Sequence, residues 1–137
     1  MNASQEFRGT LILSLALLAG CGGGEPKPAV LPAELEGGWK LVSSSAIPME
    51  MAPDLARQYR ALRIVQGRYQ GNGPMLVTWF ETSSPAVAFE LSQKWRPAPG
   101  ILFLHHGPWF VLIEAKALDN RALTRIAQAI ESSPPLQ

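Results

Sequence analysis

The stretch Gln70-Gly71-Asn72-Gly73-Pro74 constrains this chain more than any other. Two glycines around an asparagine, followed by a proline, make the backbone reverse. Both flanks read as strands. Ala61 to Tyr69 alternates, with Leu62, Ile64 and Gln66 on one face and Arg63 and Val65 on the other. Met75 to Glu81 carries strand formers, Val77, Thr78, Trp79 and Phe80. The pattern predicts a hairpin. The glycines do not make a helix-based anion site, because a proline and a strand follow them and not a helix N-terminus.

The rest of the domain reads outward from that hairpin. Trp39-Lys40-Leu41-Val42 is a short strand, and Ser43 to Pro53 is irregular because Pro48 and Pro53 block ladders. Asp54 to Arg60 is a short helix with Leu55 and Tyr59 one turn apart. Ser84 caps a second helix, with Pro85 in its first turn and Ala88, Leu91 and Trp95 along one face. Pro97 and Pro99-Gly100 stop it. Ile101 to Leu104 is a strand, His105-His106-Gly107-Pro108 a tight connection, and Trp109 to Ala115 the clearest strand of all. Asp119 or Asn120 caps a last helix, whose buried stripe is Leu123, Ile126, Ala127 and Ile130. Hairpins joined by helices predict an α+β fold: a small antiparallel sheet with helices packed on one face, a two-layer sandwich.

The N-terminus has a different logic. Met1 to Arg8 is polar, and Thr10 to Ala19 is apolar. That run has the length and flanks of a signal-peptide core. It falls short of the roughly 20 apolar residues of a membrane span. Leu18-Ala19-Gly20-Cys21 ends it. These four residues resemble the lipobox of bacterial lipoproteins: an aliphatic residue, two small residues, then cysteine. The resemblance implies cleavage between Gly20 and Cys21, a diacylglyceryl thioether on the Cys21 thiol and acylation of its freed amine. One acyl chain holds a membrane only marginally, at about 0.8 kcal/mol per methylene, so two or three make the anchor stable. Two blander readings compete: an ordinary secretory signal with a chance free cysteine, and an N-terminal core helix. Lipidation also accounts for a lone cysteine in an exported chain.

The expected organisation is a signal peptide over 1–20, a lipidated Cys21 and Gly/Pro-rich tether over 21–38, an α+β domain over 39–133, and a frayed tail over 134–137. Gly22 to Gly24 make the tether's start flexible, and Pro26 and Pro28 extend it at about 3.1 Å per residue. Val30, Leu31 and Leu35 are its candidates for packing on the domain edge. Net charge is +1, and losing residues 1–20 removes one acid and one base together. That balance gives no electrostatic footprint for nucleic acid.

The sequence assigns no catalytic residue, no metal site and no cofactor. His105 and His106 are adjacent, so a strand would point them to opposite faces, and a metal needs convergent ligands. A set of Ser44, His105 and Asp54 has no spacing in its favour, and no Gly-x-Ser-x-Gly elbow is present. Glu81, Glu90 and Glu114 are scattered, with Glu114 expected on an edge. Ile47, Met49 and Met51 alternate with other residues across Ala46 to Pro53, a stretch that holds Pro48 and Pro53. Methionines adapt to irregular surfaces, so these three and Trp39, at the domain's entrance, are the candidate partner contacts. The competing reading is that they cover the core's edge, and core packing also explains Trp79, Trp95 and Trp109.

The second half also resembles a class of bacterial exported domains with no agreed activity, through Val77 to Phe80, Ala86 to Trp95, Ile101 to Ile113 and Leu123 to Ile130. That likeness implies an envelope-exposed α+β domain and carries over no functional residue. The leading expectation is therefore a lipid-anchored, non-enzymatic envelope protein that binds or supports a partner near the membrane. It would sit on the outer membrane facing the periplasm in a diderm bacterium, and otherwise on the outer face of the plasma membrane. The alternatives are a module for a small apolar or lipid ligand, marked by an apolar pocket of about 300 Å³ or more, and an envelope hydrolase.

Overall fold

The computed structural model describes residues 30–133, 135 and 136. The signal segment, Gly20, Cys21 and the tether up to residue 29 lie outside them. The chain runs β1 (Glu34–Leu35), β2 (Trp39–Ala46), a 3-10 turn (Met49–Met51), α1 (Asp54–Gln58), β3 (Arg63–Gly71), β4 (Gly73–Glu81), α2 (Pro85–Lys94), β5 (Ile101–His106), β6 (Trp109–Glu114) and α3 (Asn120–Glu131). The strands form one antiparallel sheet in the order β1-β2-β3-β4-β6-β5. This is a mixed α+β fold in which strands dominate.

The hairpin expected around Asn72 is β3–β4, and its ladder runs to Gly71 opposite Gly73. Gly73 takes φ +112°, a backbone state that glycine reaches without strain. Pro74 is tolerated inside β4 because β6 first pairs with β4 at Leu76, so Pro74 has a neighbour on one side only. The helix starts also follow the sequence. The Ser84 hydroxyl accepts from the Val87 N–H, and the Asp119 carboxylate from the Ala122 N–H at 2.8 Å. Trp95 stands at the C-cap of α2 and not within it.

The helices do not gather on one face. Leu123, Ile126 and Ile130 of α3 share a core with Val77, Trp79, Val111 and Ile113. Leu91 of α2 and Ala56 of α1 share another with Ile64, Phe80, Phe110 and Leu112. Successive residues of β4 and β6 alternate between these cores. The expected two-layer sandwich is therefore corrected: α3 covers one face and α1 and α2 part of the other. The physical reason lies in β6, where Trp109, Phe110, Val111, Leu112 and Ile113 are all buried. A strand apolar at every position needs cover on both sides.

Three boundaries also move. Leu31 and Leu35 are buried in the α3-side core, and β1 pairs with β2, so the packed domain includes part of the expected tether. Leu31 fits because Gly67 has no side chain: a Cβ there would lie 3.0 Å from Leu31 Cδ1. Leu136 is buried in the same core, so the tail is not frayed at that residue. Ser43 to Ala46, expected irregular, pair with β3.

Candidate functional site

The α1/α2 face is crossed by rows of residues, one from each strand. Ile64–Phe80–Phe110 lies in the α2-side core. Next comes Gln66–Thr78–Leu112, where the Gln66 amide donates to the Thr78 hydroxyl at 3.1 Å. The row beyond, Arg68–Leu76–Glu114, and the pair Gln70–Pro74 open into a groove of about 480 Å³. Its apolar wall comes from Val42, Pro74, Leu76 and Ala117.

Two backbone features shape the groove. Leu41 pairs with Tyr69 and Ser43 with Arg68, so β2 bulges at Val42. A bulge re-aims a side chain, and Val42 stands 69 % exposed beside Arg68. At the other rim Gly100, at φ +73°, presses against the segment after β6. A Cβ on it would lie 2.9 Å from Lys116 Cα. The Gly100 carbonyl also accepts from the Ala115 N–H at 2.8 Å. These contacts fix Lys116 and Ala117 at the groove.

Three charged side chains line it: Arg68, Lys116 and the half-buried Glu114. Among the described residues none of the three forms an ion pair within 4.0 Å. The groove therefore joins an apolar wall to a net positive rim. Glu114 lies on a strand flanked by β4 and β5, and not on the edge expected for it.

The residues singled out from sequence lie elsewhere. Trp39 is 5 % exposed and closes over Gly71 in the α3-side core. It is a core residue, because the β2 alternation turns it inward. Ile47 and Met49 pack against the α2-side core, and Met51 is 76 % exposed. The structure thus does not bring the four candidate contacts together. His105 and His106 belong to β5 and not to the turn after it, and both are exposed. His105 meets the Phe89 ring edge-on at 5.3 Å. Ser44 on β2 and His105 on β5 are separated by β3, β4 and β6. At about 4.8 Å per strand that is roughly 19 Å, so Ser44, His105 and Asp54 form no set; Asp54 pairs with Arg57 instead. Glu81 pairs with Arg63 at 2.8 Å, and the Arg63 guanidinium stands 5.6 Å from the Trp109 ring centre.

Sequence reading missed the groove residues. The one local signal was Pro74-x-Leu76 facing Arg68 across the hairpin; the bulge and the Gly100 contact have no local signature. Set against known proteins, the chain matches no family model, no curated protein and no solved structure.

Proposed function

We propose that this chain is a non-catalytic binding protein of the bacterial envelope, anchored by lipid on Cys21, whose groove takes a small amphiphile: an apolar chain carrying one acidic group. The observation that carries the reading is the groove itself. Its volume of about 480 Å³ lies in the range of small-molecule sites. Val42, Leu76, Pro74 and Ala117 offer apolar surface, and Arg68 and Lys116 outnumber Glu114 at the rim. An acidic head beside two cations gains charge-assisted hydrogen bonds, while its tail leaves water along the apolar wall. The small-ligand reading is favoured over a protein partner because Trp39 and the Ile47–Met51 stretch do not form one surface. The Leu18-Ala19-Gly20-Cys21 resemblance supports the anchor and the envelope location.

The test is a fluorescence titration with cis-parinaric acid, a linear fatty acid that lights up out of water. Saturable one-to-one binding is expected. Leu76→Glu, which sets a carboxylate on the groove wall, weakens it roughly tenfold or more. Val42→Asp at the exposed bulge is the second variant, for use if Leu76→Glu loses its native circular dichroism. Binding that does not saturate, or that survives undiminished in a folded groove variant, overturns the reading.

A further inference from the structure

The charges in the groove are not balanced against one another. Arg68 and Lys116 are exposed, whereas Glu114 is half-buried and so the most enclosed of the three. The row that holds it runs Arg68–Leu76–Glu114–Ile101 across β3, β4, β6 and β5. Its neighbours on both sides are therefore aliphatic, about 4.8 Å away along the row, and their side chains have no hydrogen to donate. Arg68 lies one strand further, roughly 10 Å from Glu114 between backbones. Among the described residues Glu114 has no ion pair within 4.0 Å and its side chain accepts no hydrogen bond.

A carboxylate partly withdrawn from water is costly to leave without a donor. A purely acidic head in this groove meets attraction from Arg68 and Lys116 and repulsion from Glu114. A head with an ammonium beside its acid meets attraction from all three. The kind of ammonium is also constrained. A quaternary ammonium is held by aromatic faces, and the aromatic residue of the lining, Tyr69, keeps its ring with Trp79 in the α3-side core. A primary ammonium donates hydrogen bonds to a carboxylate instead, and Glu114 supplies one. On the anionic side, Arg68 comes from β3 and Lys116 from the segment after β6. A phosphodiester, with oxygens turned in two directions, suits cations that approach from separate elements.

We infer that the head group the groove selects is zwitterionic, a phosphodiester bearing a primary amine, so that its occupant is a single-chain aminophospholipid; this rests on the groove reading proposed above. Arg68 and Lys116 hold the phosphate, Glu114 accepts from the ammonium, and the acyl chain lies along Val42, Leu76 and Pro74. Glu114 is then the residue that sets specificity. It adds little for a fatty acid or an anionic phospholipid and discriminates between lipids that differ only in the amine. The free head group lacks the chain that leaves water on the apolar wall, so the lipid and not its soluble fragment is the ligand.

The test is a competition read by native mass spectrometry. The full chain in mild detergent is offered equal amounts of lysophosphatidylethanolamine and lysophosphatidylglycerol with the same acyl chain, which share the phosphodiester and differ in the amine. Wild type is expected to favour the ethanolamine lipid roughly tenfold. Glu114→Gln, shown folded by far-UV circular dichroism, is expected to bind the two about equally, and Arg68→Gln to weaken both together. N-acetylated lysophosphatidylethanolamine tests the same contact without a variant: it is expected to bind wild type no better than the glycerol lipid. Glycerophosphoethanolamine, the head without its chain, is expected not to displace the lipid. Equal binding of the two lysolipids by wild type, a preference kept by folded Glu114→Gln or by the N-acetylated lipid, or displacement by the bare head group overturns this inference and leaves the groove reading standing. Adducts of neither lipid, or adducts undiminished in folded Leu76→Glu, overturn both.

Discussion

Gly71→Ala tests how the first turn of the domain is locked to the central hairpin. A Cβ at position 71 would lie 2.7 Å from Trp39 Cδ2 and 2.8 Å from Cε3. Ordinary carbon contacts are about 3.5–4.0 Å, so the indole must retreat by roughly 1 Å. It has little room, because Trp39 is 5 % exposed within the α3-side core. Overpacking of this kind costs about 1–3 kcal/mol. Replacing glycine inside a strand returns about 0.5–1 kcal/mol of backbone entropy. The net expectation is a loss of about 1–2 kcal/mol, a fall in Tm of roughly 5–15 °C for a domain of this length. Thermal unfolding followed by circular dichroism and tryptophan fluorescence reads it. A double-mutant cycle isolates the cause. Trp39→Ala alone costs about 3–5 kcal/mol, and in that background Gly71→Ala becomes neutral or slightly stabilising. A Gly71→Ala protein as stable as wild type, or the same penalty with and without the indole, would refute the packing account.

Tyr69 donates its hydroxyl to the Pro32 carbonyl at 2.9 Å, so Tyr69→Phe loses about 1 kcal/mol at neutral pH by denaturant unfolding. Burial also raises the Tyr69 hydroxyl above the ordinary tyrosine value. The folded state then keeps a proton that the unfolded chain gives up near pH 10, so stability holds below that pH and falls as pH rises above it; Tyr69→Phe flattens this slope. Asp119→Ala unseats the first turn of α3 by removing the acceptor for Ala122, at a cost of about 1 kcal/mol that Asp119→Asn restores. On the proposed anchor, Cys21→Ser is expected to lose the lipid increment from the intact mass and to leave the membrane fraction. An unchanged mass and fractionation would remove the anchor.

The parts of this fold visible in the sequence are those fixed by local chemistry. Gly71-Asn72-Gly73 reverses the chain wherever it stands, Ser84-Pro85 and Asp119 start helices, and Leu123, Ile126, Ala127 and Ile130 make one stripe whatever they pack on. The layer arrangement was also within reach, because Trp109 to Ile113 has no polar position to face solvent. A strand with two apolar faces needs cover on both, and that is what sets α3 against α1 and α2 across the sheet. The groove is of another kind. Val42 points into it through a bulge, which depends on how β2 registers against β3. Lys116 is held there by Gly100, sixteen positions earlier. Trp39 misled for a related reason: its partner Gly71 is distant in sequence, and only the sheet brings them together.

The measurement that bears most directly on the groove is native mass spectrometry of the protein purified from its own membranes in mild detergent. The account predicts one non-covalent adduct of single-acyl mass, released on gentle activation and absent from folded Leu76→Glu, while the covalent lipid on Cys21 remains in both. A bare protein mass in wild type, or the same adduct at the same occupancy in Leu76→Glu, would contradict it.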